Sequence, residues 1–224
     1  MYIERETMVS LVLSTLGRPK EEKLLKALEQ FSVDHLIVDH LYYFTPASAA
    51  VERLQTLPQE TVICSWLNER AARWVLRFLG VDGDFQHQNL ADIDDLAAFV
   101  SSLPKGEGVR ERLTEEQNER WYPVLDYELC TSCQQCLDFC LFGVYELQDD
   151  KVVVANPGKC KPGCPACARV CPQKAVMFPH YEKDQTIAGV LPKEEKAQPC
   201  CCCANSSTED SIDELISDLD ELEL

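Results

Sequence analysis

The sequence predicts two folded parts, a small parallel doubly wound α/β domain at the N-terminus and a shorter, cysteine-rich α+β unit behind it. Three observations lead there. Short apolar runs alternate with amphipathic helical patterns as far as residue 103, the pattern of βαβ units with right-handed crossovers. A charged stretch with Gly106, Gly108 and almost no apolar side chains then breaks the pattern. Beyond it, two dense cysteine runs lie between short strand-like segments.

In chain order, Met8 to Leu13 is apolar and short enough to be a buried strand. Ser14 to Arg18 is a turn, and Pro19 fits the first turn of a helix whose apolar face is Leu24, Leu25, Leu28 and Phe31. His35 to Asp39 is a second strand. A second helix is expected from Thr45 and Pro46, with Val51, Leu54 and Leu57 inward. Thr61 to Ser65 is a third strand, and a helix from about Asn68 to Leu79 turns Ala71, Val75 and Leu79 to the core and stops at Gly80. Asp84 to Gln88 reads as a weak fourth strand, and Asp92 as the cap of a last helix carrying Ile93, Leu96, Phe99 and Val100. The domain reading is 1–103, with about four strands, then a linker at 104–120 in which Thr114 and Gln117 suit a capping box for a short exposed helix.

Ligands of such sheets bind beyond the carboxyl ends of the strands. Ser14, Thr15, Arg18, Asp39, His40, Ser65, Trp66 and Asn68 fall there and would line a polar crevice. The first turn, STLGRPK, holds one glycine, so it is not a dinucleotide loop, and no P-loop is present. A domain that only packs or docks is the competing reading, with Cys64 a small buried residue.

The second part runs from 121 to 180. WYPVLDY (Trp121 to Tyr127) opens it as a strand. Asp149 and Asp150 join Val144–Leu147 to Lys151–Val154 as a hairpin, and Ala175 to Phe178 closes the unit. Two runs carry its chemistry: CTSCQQCLDFC, with Cys130, Cys133, Cys136 and Cys140, and CKPGCPACARVCP, with Cys160, Cys164, Cys167 and Cys171. Closely spaced thiolates can wrap one corner of an iron–sulfur cube. Two zinc sites could draw on the same eight thiols, but structural zinc sites come as two separated pairs, not a triplet with a trailing fourth.

This stretch resembles the bacterial-type ferredoxins with two [4Fe–4S] clusters. In that family the fourth cysteine of each run ligates the other run's cluster. The resemblance implies Cys130, Cys133, Cys136 and Cys171 around one cluster, and Cys160, Cys164, Cys167 and Cys140 around the other. Leu141 stands where the family usually has proline, and Lys161, Pro162 and Gly163 make the second run's first spacing one residue longer than usual. Leu129, Leu137, Phe139, Leu141, Phe142, Val144, Val170 and Val176 are expected to shield the clusters. The implied function is one-electron transfer between protein partners. The alternatives are an oxidoreductase component whose α/β domain binds a cofactor or substrate, and a redox-responsive regulatory or assembly protein.

The formal net charge of −17 should repel nucleic acid and anionic lipid and favour redox partners with basic docking surfaces. The N-terminus, MYIERE, is no signal peptide, and no run is long enough to span a membrane, so a cytoplasmic location is expected. Residues 181–224 are expected to be a flexible acidic tail holding Cys200 to Cys203, four adjacent thiols in no ordinary ligand spacing. At its end Ser211 and Glu214 fit a capping box, and Ile212, Leu215, Ile216, Leu219 and Leu222 share one helical face suited to docking.

Overall fold

A five-stranded parallel sheet forms the N-terminal part of the computed structural model, in which residues 9–115 and 119–190 are described. Its strands are β1 (Leu11–Ser14), β2 (His35–Val38), β3 (Val62–Ser65), β4 (Gln86–Asn89) and β5 (Arg110–Leu113), in the order β4-β3-β1-β2-β5. The three central strands, LVLS, HLIV and VICS, are buried along their whole length, as strands covered on both faces must be. The edges, QHQN and RERL, are polar and partly exposed, which blunts further pairing.

Helices cover both faces. Leu24 and Leu28 of α1 (Pro19–Gln30) and Val100 of α4 (Leu96–Ser101) pack on one side, with Leu11, Leu13, Val62 and Cys64. Val51 and Leu54 of α2 (Ala49–Gln55) and Ala71 and Val75 of α3 (Glu69–Phe78) pack on the other, with Val12, Leu36, Val38 and Ile63. The doubly wound parallel sheet expected from sequence is present, with differences in detail. Helix α2 starts at Ala49, not at Pro46, because the Ser48 Oγ accepts from the Thr45 N–H (3.1 Å) and closes a turn first. The cap of α4 is Asp95, whose carboxylate accepts from Ala97 and Ala98 N–H groups (2.9 and 3.0 Å), while Leu90–Asp92 form a 3-10 turn.

The sheet has a fifth strand, and it comes from the stretch read as a linker. RERL carries only one apolar residue, so composition hides it. It is held by Asp34, whose carboxylate accepts from the Val109 N–H at 2.7 Å, and by ladder bonds to β2. The capping box expected at Thr114 and Gln117 lies partly outside the described residues.

The cysteine-rich part contains β6 (Val124–Leu125), α5 (Gln135–Phe139), β7 (Tyr145–Gln148), β8 (Lys151–Val154), α6 (Ala166–Val170) and β9 (Val176–Met177). Strand β6 pairs antiparallel with β9, and β7 with β8. Asp149 and Asp150 both sit at positive φ (48° and 61°), the turn that a two-residue hairpin needs. Each cysteine run leads into a short helix. This part shares a core with the sheet: Tyr122, Val124 and Met177 are buried in one cluster with Tyr42, Val75 and Leu79. The Tyr42 and Tyr122 rings stack at 4.4 Å, and the Tyr42 hydroxyl donates to the Tyr122 carbonyl while accepting from its N–H (2.8 Å). Cys200 to Cys203 and the helix expected at the C-terminal end lie outside the described residues.

Candidate metal centre and the adjoining crevice

The eight cysteines of the two runs sit at two cavities. Cys130, Cys133, Cys136 and Cys171 line one, with Leu125, Val152 and Val176. Cys140, Cys160, Cys164 and Cys167 line the other, with Val144 and Tyr145; it encloses about 170 Å³ and is the roomier. Each cavity therefore takes three thiols from one run and the trailing thiol of the other. Local backbone brings this about. Ser132 and Gln134 adopt positive φ (53° and 63°) between the cysteines of the first run, turning the chain tightly enough to bring successive sulfurs round. Gly163, at φ 74°, does so in the longer turn of the second run.

Burial keeps three of these thiols, Cys136, Cys160 and Cys167, in the neutral form unless a cation compensates them. Burial pushes the Cys136 thiol up to about 12, with neighbouring Cys171, Cys167 and Cys130 adding to the effect. Burial pushes Cys160 to about 12 as well, reinforced by Cys167, Cys164 and Cys140. Thiolates so crowded and desolvated do not form without a compensating positive charge. The buried Tyr145 hydroxyl lies beside Cys167, where it can donate to a thiolate or a bound sulfide. The Ala175 N–H already points at the Cys171 Sγ, 3.3 Å away. Soft thiolate donors, thiols raised by burial and a buried hydroxyl donor beside them fit an iron–sulfur group. Among the described residues no three His, Cys, Asp or Glu side chains converge on a site for a single ion.

Helix α3 reaches into the first cavity's support. Arg70 Nε donates to Asp126 Oδ2 at 2.6 Å, the two side chains being 3% and 2% exposed. Its Nη2 donates to the Lys174 carbonyl at 2.8 Å. Asp126 in turn orders the entry to the first run. Its Oδ1 accepts from Glu128 and Leu129 N–H groups, and its carbonyl accepts from Cys130 N–H at 2.9 Å. One guanidinium thus ties together the segments that carry Cys130 and Cys171.

A crevice of about 1000 Å³ opens at the carboxyl ends of the strands, between the sheet and the cysteine-rich part. Arg18, Trp66 and Asn68 line it, with Tyr43, Trp121 and His180. The other residues expected there are spent on structure. Ser14, His40 and Ser65 are buried. Ser14 Oγ donates to the Asp39 carbonyl (3.4 Å), Thr15 Oγ1 to the Val38 carbonyl (3.1 Å), and Ser65 Oγ pairs with His87 Nε2 (2.8 Å). The Asp39 carboxylate accepts from the Glu115 N–H at 2.8 Å. Glu21, not among the residues expected there, fills the first βα turn. Its carboxylate accepts from the N–H groups of Leu16, Gly17 and Arg18 and from Trp66 Nε1, at 2.5 to 3.1 Å. The amides that would cradle a phosphate in that turn are occupied by a residue of the chain itself.

No protein-family model matches the chain. Three curated relatives do. A 55-residue stretch is 44% identical to an uncharacterised ferredoxin of Methanocaldococcus jannaschii and covers 87% of that protein. A stretch of the same length is 41% identical to a ferredoxin of Methanothermococcus thermolithotrophicus, covering 90% of it. The chain belongs to the ferredoxin family. A second, longer uncharacterised ferredoxin of M. jannaschii is 37% identical over 79 residues, and the chain spans about half of its length (54%). These stretches take up 24% to 33% of the chain, and the N-terminal part has no match. Membership of the ferredoxin family implies an iron–sulfur group in this chain.

The structure corrects one expectation about this ferredoxin. Leu141 is 92% exposed, and Phe139 and Phe142 are also largely exposed, so these three rim the second cavity instead of sealing it. Val144 and Val176 are buried as expected. Among the described residues no helix is long and apolar enough to cross a membrane.

Proposed function

We propose that this ferredoxin holds two [4Fe–4S] clusters and carries electrons one at a time between protein partners. Cys130, Cys133, Cys136 and Cys171 hold the first cluster, and Cys160, Cys164, Cys167 and Cys140 hold the second. The observation that carries the reading is the exchange of the trailing cysteine between two separate thiol-lined cavities. It is the arrangement a pair of mutually completed clusters needs. When bound, the clusters supply one-electron redox chemistry. The chain's own residues exclude water (Val144, Val152, Val176), donate to sulfur (Tyr145, Ala175 N–H) and fix the ligand loops (Arg70, Asp126).

The acidic chain favours partners with basic docking surfaces. Leu141, Phe139 and Phe142, exposed beside the second thiol set, give such a partner an apolar contact near the cluster. A second reading, an oxidoreductase component whose α/β part holds an organic ligand, is favoured by the crevice alone. The test is anaerobic purification with iron and sulfide counts. About eight irons per chain with matching sulfide, bleached reversibly on reduction, is the expected result. About four irons, or zinc without sulfide, would refute the two-cluster carrier.

A further inference from the structure

The crevice at the carboxyl ends of the sheet has no part in holding the clusters, yet its walls are built for a ligand. We propose that it binds a planar conjugated ring that carries a carbonyl acceptor and no phosphate. Three features define that chemistry.

The first is the aromatic lining. Trp66 and Trp121 both line the crevice, and each is braced by a neighbour. The Arg18 guanidinium sits 4.3 Å from the Trp66 ring, and Phe178 stacks on Trp121 at 5.0 Å with an 18° interplanar angle. Indoles held in this way offer a stacking platform at little entropic cost.

The second is a directed hydroxyl. The buried His40 accepts from the Tyr42 N–H through Nδ1 (3.3 Å), so its proton is on Nε2. That Nε2 faces His180 Nε2 at 3.3 Å, which must then accept, leaving the His180 proton on Nδ1. His180 Nδ1 faces the Tyr43 hydroxyl at 3.4 Å, so the hydroxyl accepts from it. The Tyr43 O–H has no acceptor among the described residues and lines the crevice. Two neutral imidazoles in fixed tautomers thus present Tyr43 as a donor to a carbonyl oxygen.

The third is the exclusion of anions. Glu21 already occupies the amides of the first βα turn. Among the described charged residues of the lining, Asp92, Glu119 and Glu182 outnumber Arg18 and Arg120. Phosphate has neither a cradle nor a favourable field here.

The position of the crevice says why such a ring would be useful, a point that rests on the cluster reading above. Pro162 and Gly163, between Cys160 and Cys164, line it, and Trp121 Nε1 donates to the Cys164 carbonyl at 3.1 Å. A bound ring would lie next to the second thiol set. Flavin rings and quinone rings share this chemistry.

The experiment uses the full-length oxidised holoprotein, with its iron counted. It is titrated separately with riboflavin and with menadione, following flavin and tryptophan fluorescence. Saturable binding of either ring, one per chain, is expected, and which of them binds identifies the source. Tyr43→Phe should weaken binding about three- to tenfold, as the loss of one hydrogen bond does. Trp66→Leu should weaken it by a similar factor through lost stacking. FMN should bind no more tightly than riboflavin. Saturation by neither ring, tighter binding of FMN, or affinity unchanged in both variants would overturn the proposal. Binding is read without reducing the clusters. A low iron count with full ring binding therefore fails the two-cluster carrier alone, and a full count without binding fails this inference alone.

Discussion

Removing Arg70 tests whether the α/β part is structurally coupled to the first thiol set. The Arg70–Asp126 pair is buried on both sides, at 3% and 2% exposure, with a 2.6 Å contact. Arg70→Met keeps the bulk of the stem but leaves the buried Asp126 without its cationic partner and frees the Lys174 carbonyl. Breaking one side of a buried pair costs about 3–5 kcal/mol. With a urea dependence of about 2.5 kcal/mol/M, the midpoint should fall by about 1–2 M. Asp126→Asn should cost a similar amount, because it strands the guanidinium instead. The double variant should cost less than the sum of the two, by about 1–3 kcal/mol. The assay is anaerobic urea unfolding followed by far-ultraviolet circular dichroism, with iron release recorded in parallel. Since Asp126 and Lys174 lie on the segments bearing Cys130 and Cys171, iron should leave in two phases, about half of it early. Additive effects of the two single variants, or a midpoint shift below about 0.3 M, would refute the coupling.

Other consequences are accessible to the same preparations. Cys133→Ser should halve the iron content and spare the second cluster; full iron and sulfide would sink the ligand assignment. Gly189→Ala should lower the melting temperature, at a cost of about 1–3 kcal/mol, since the glycine has φ 104° and an added Cβ would lie 2.6 Å from the Ala71 Cβ. An unchanged melting temperature would mean that Gly189 does not lie against Ala71 of α3. Burial lowers His40 to about 3 and His87 to about 4. Both are neutral in the folded chain where the unfolded chain begins to protonate them, so stability holds above about pH 6.5 and falls as pH drops towards the folded values. Between about pH 7.5 and 5.5 the loss is about 1.4 kcal/mol for each histidine. His87→Gln should shallow that slope in urea unfolding, and an unchanged slope would contradict the assignment.

Much of this architecture is legible in the sequence, and the reasons differ between the two parts. Strands β1 to β3 are covered on both faces and so appear as uninterrupted apolar runs. Strand β5 is half-exposed RERL, an edge strand whose identity comes from pairing with β2 and from Asp34, neither of which leaves a mark in local composition. The cysteine spacing points to the thiol sets directly, because the chemistry itself requires that spacing. The crevice is only half legible. Arg18, Trp66 and Asn68 follow from the rule about strand ends, but Tyr43, Trp121 and His180 come from a 3-10 turn and from the other part of the chain. Glu21 could have been suspected as the fourth member of a capping box, three residues after the N-cap. Arg18 at that cap hid it, since a serine or threonine is what the pattern leads one to look for.

The shared core bears on why an α/β part accompanies a ferredoxin stretch at all. The stretch has a small core of its own: its two sheets have only two strands each, and among the described residues its separate cluster holds eleven buried residues, two of them cysteines. Val124 and Met177, paired across β6 and β9, are buried in the same cluster as α3 residues, not in the cysteine-side core. Arg70 then fixes the two loops that carry the ends of the first thiol set. The α/β part thus supplies the apolar surface and the buried cation that so small a cluster-binding unit lacks. The first thiol set then leans on α3 more than the second does, because both Arg70 side-chain hydrogen bonds among the described residues reach the segments of Cys130 and Cys171. Substitutions on the inner face of α3, such as Val75→Ala, should therefore loosen the first cluster before the second. Equal loss from both sites would mean that the α/β part stabilises the unit as a whole, with no preference for the nearer cluster.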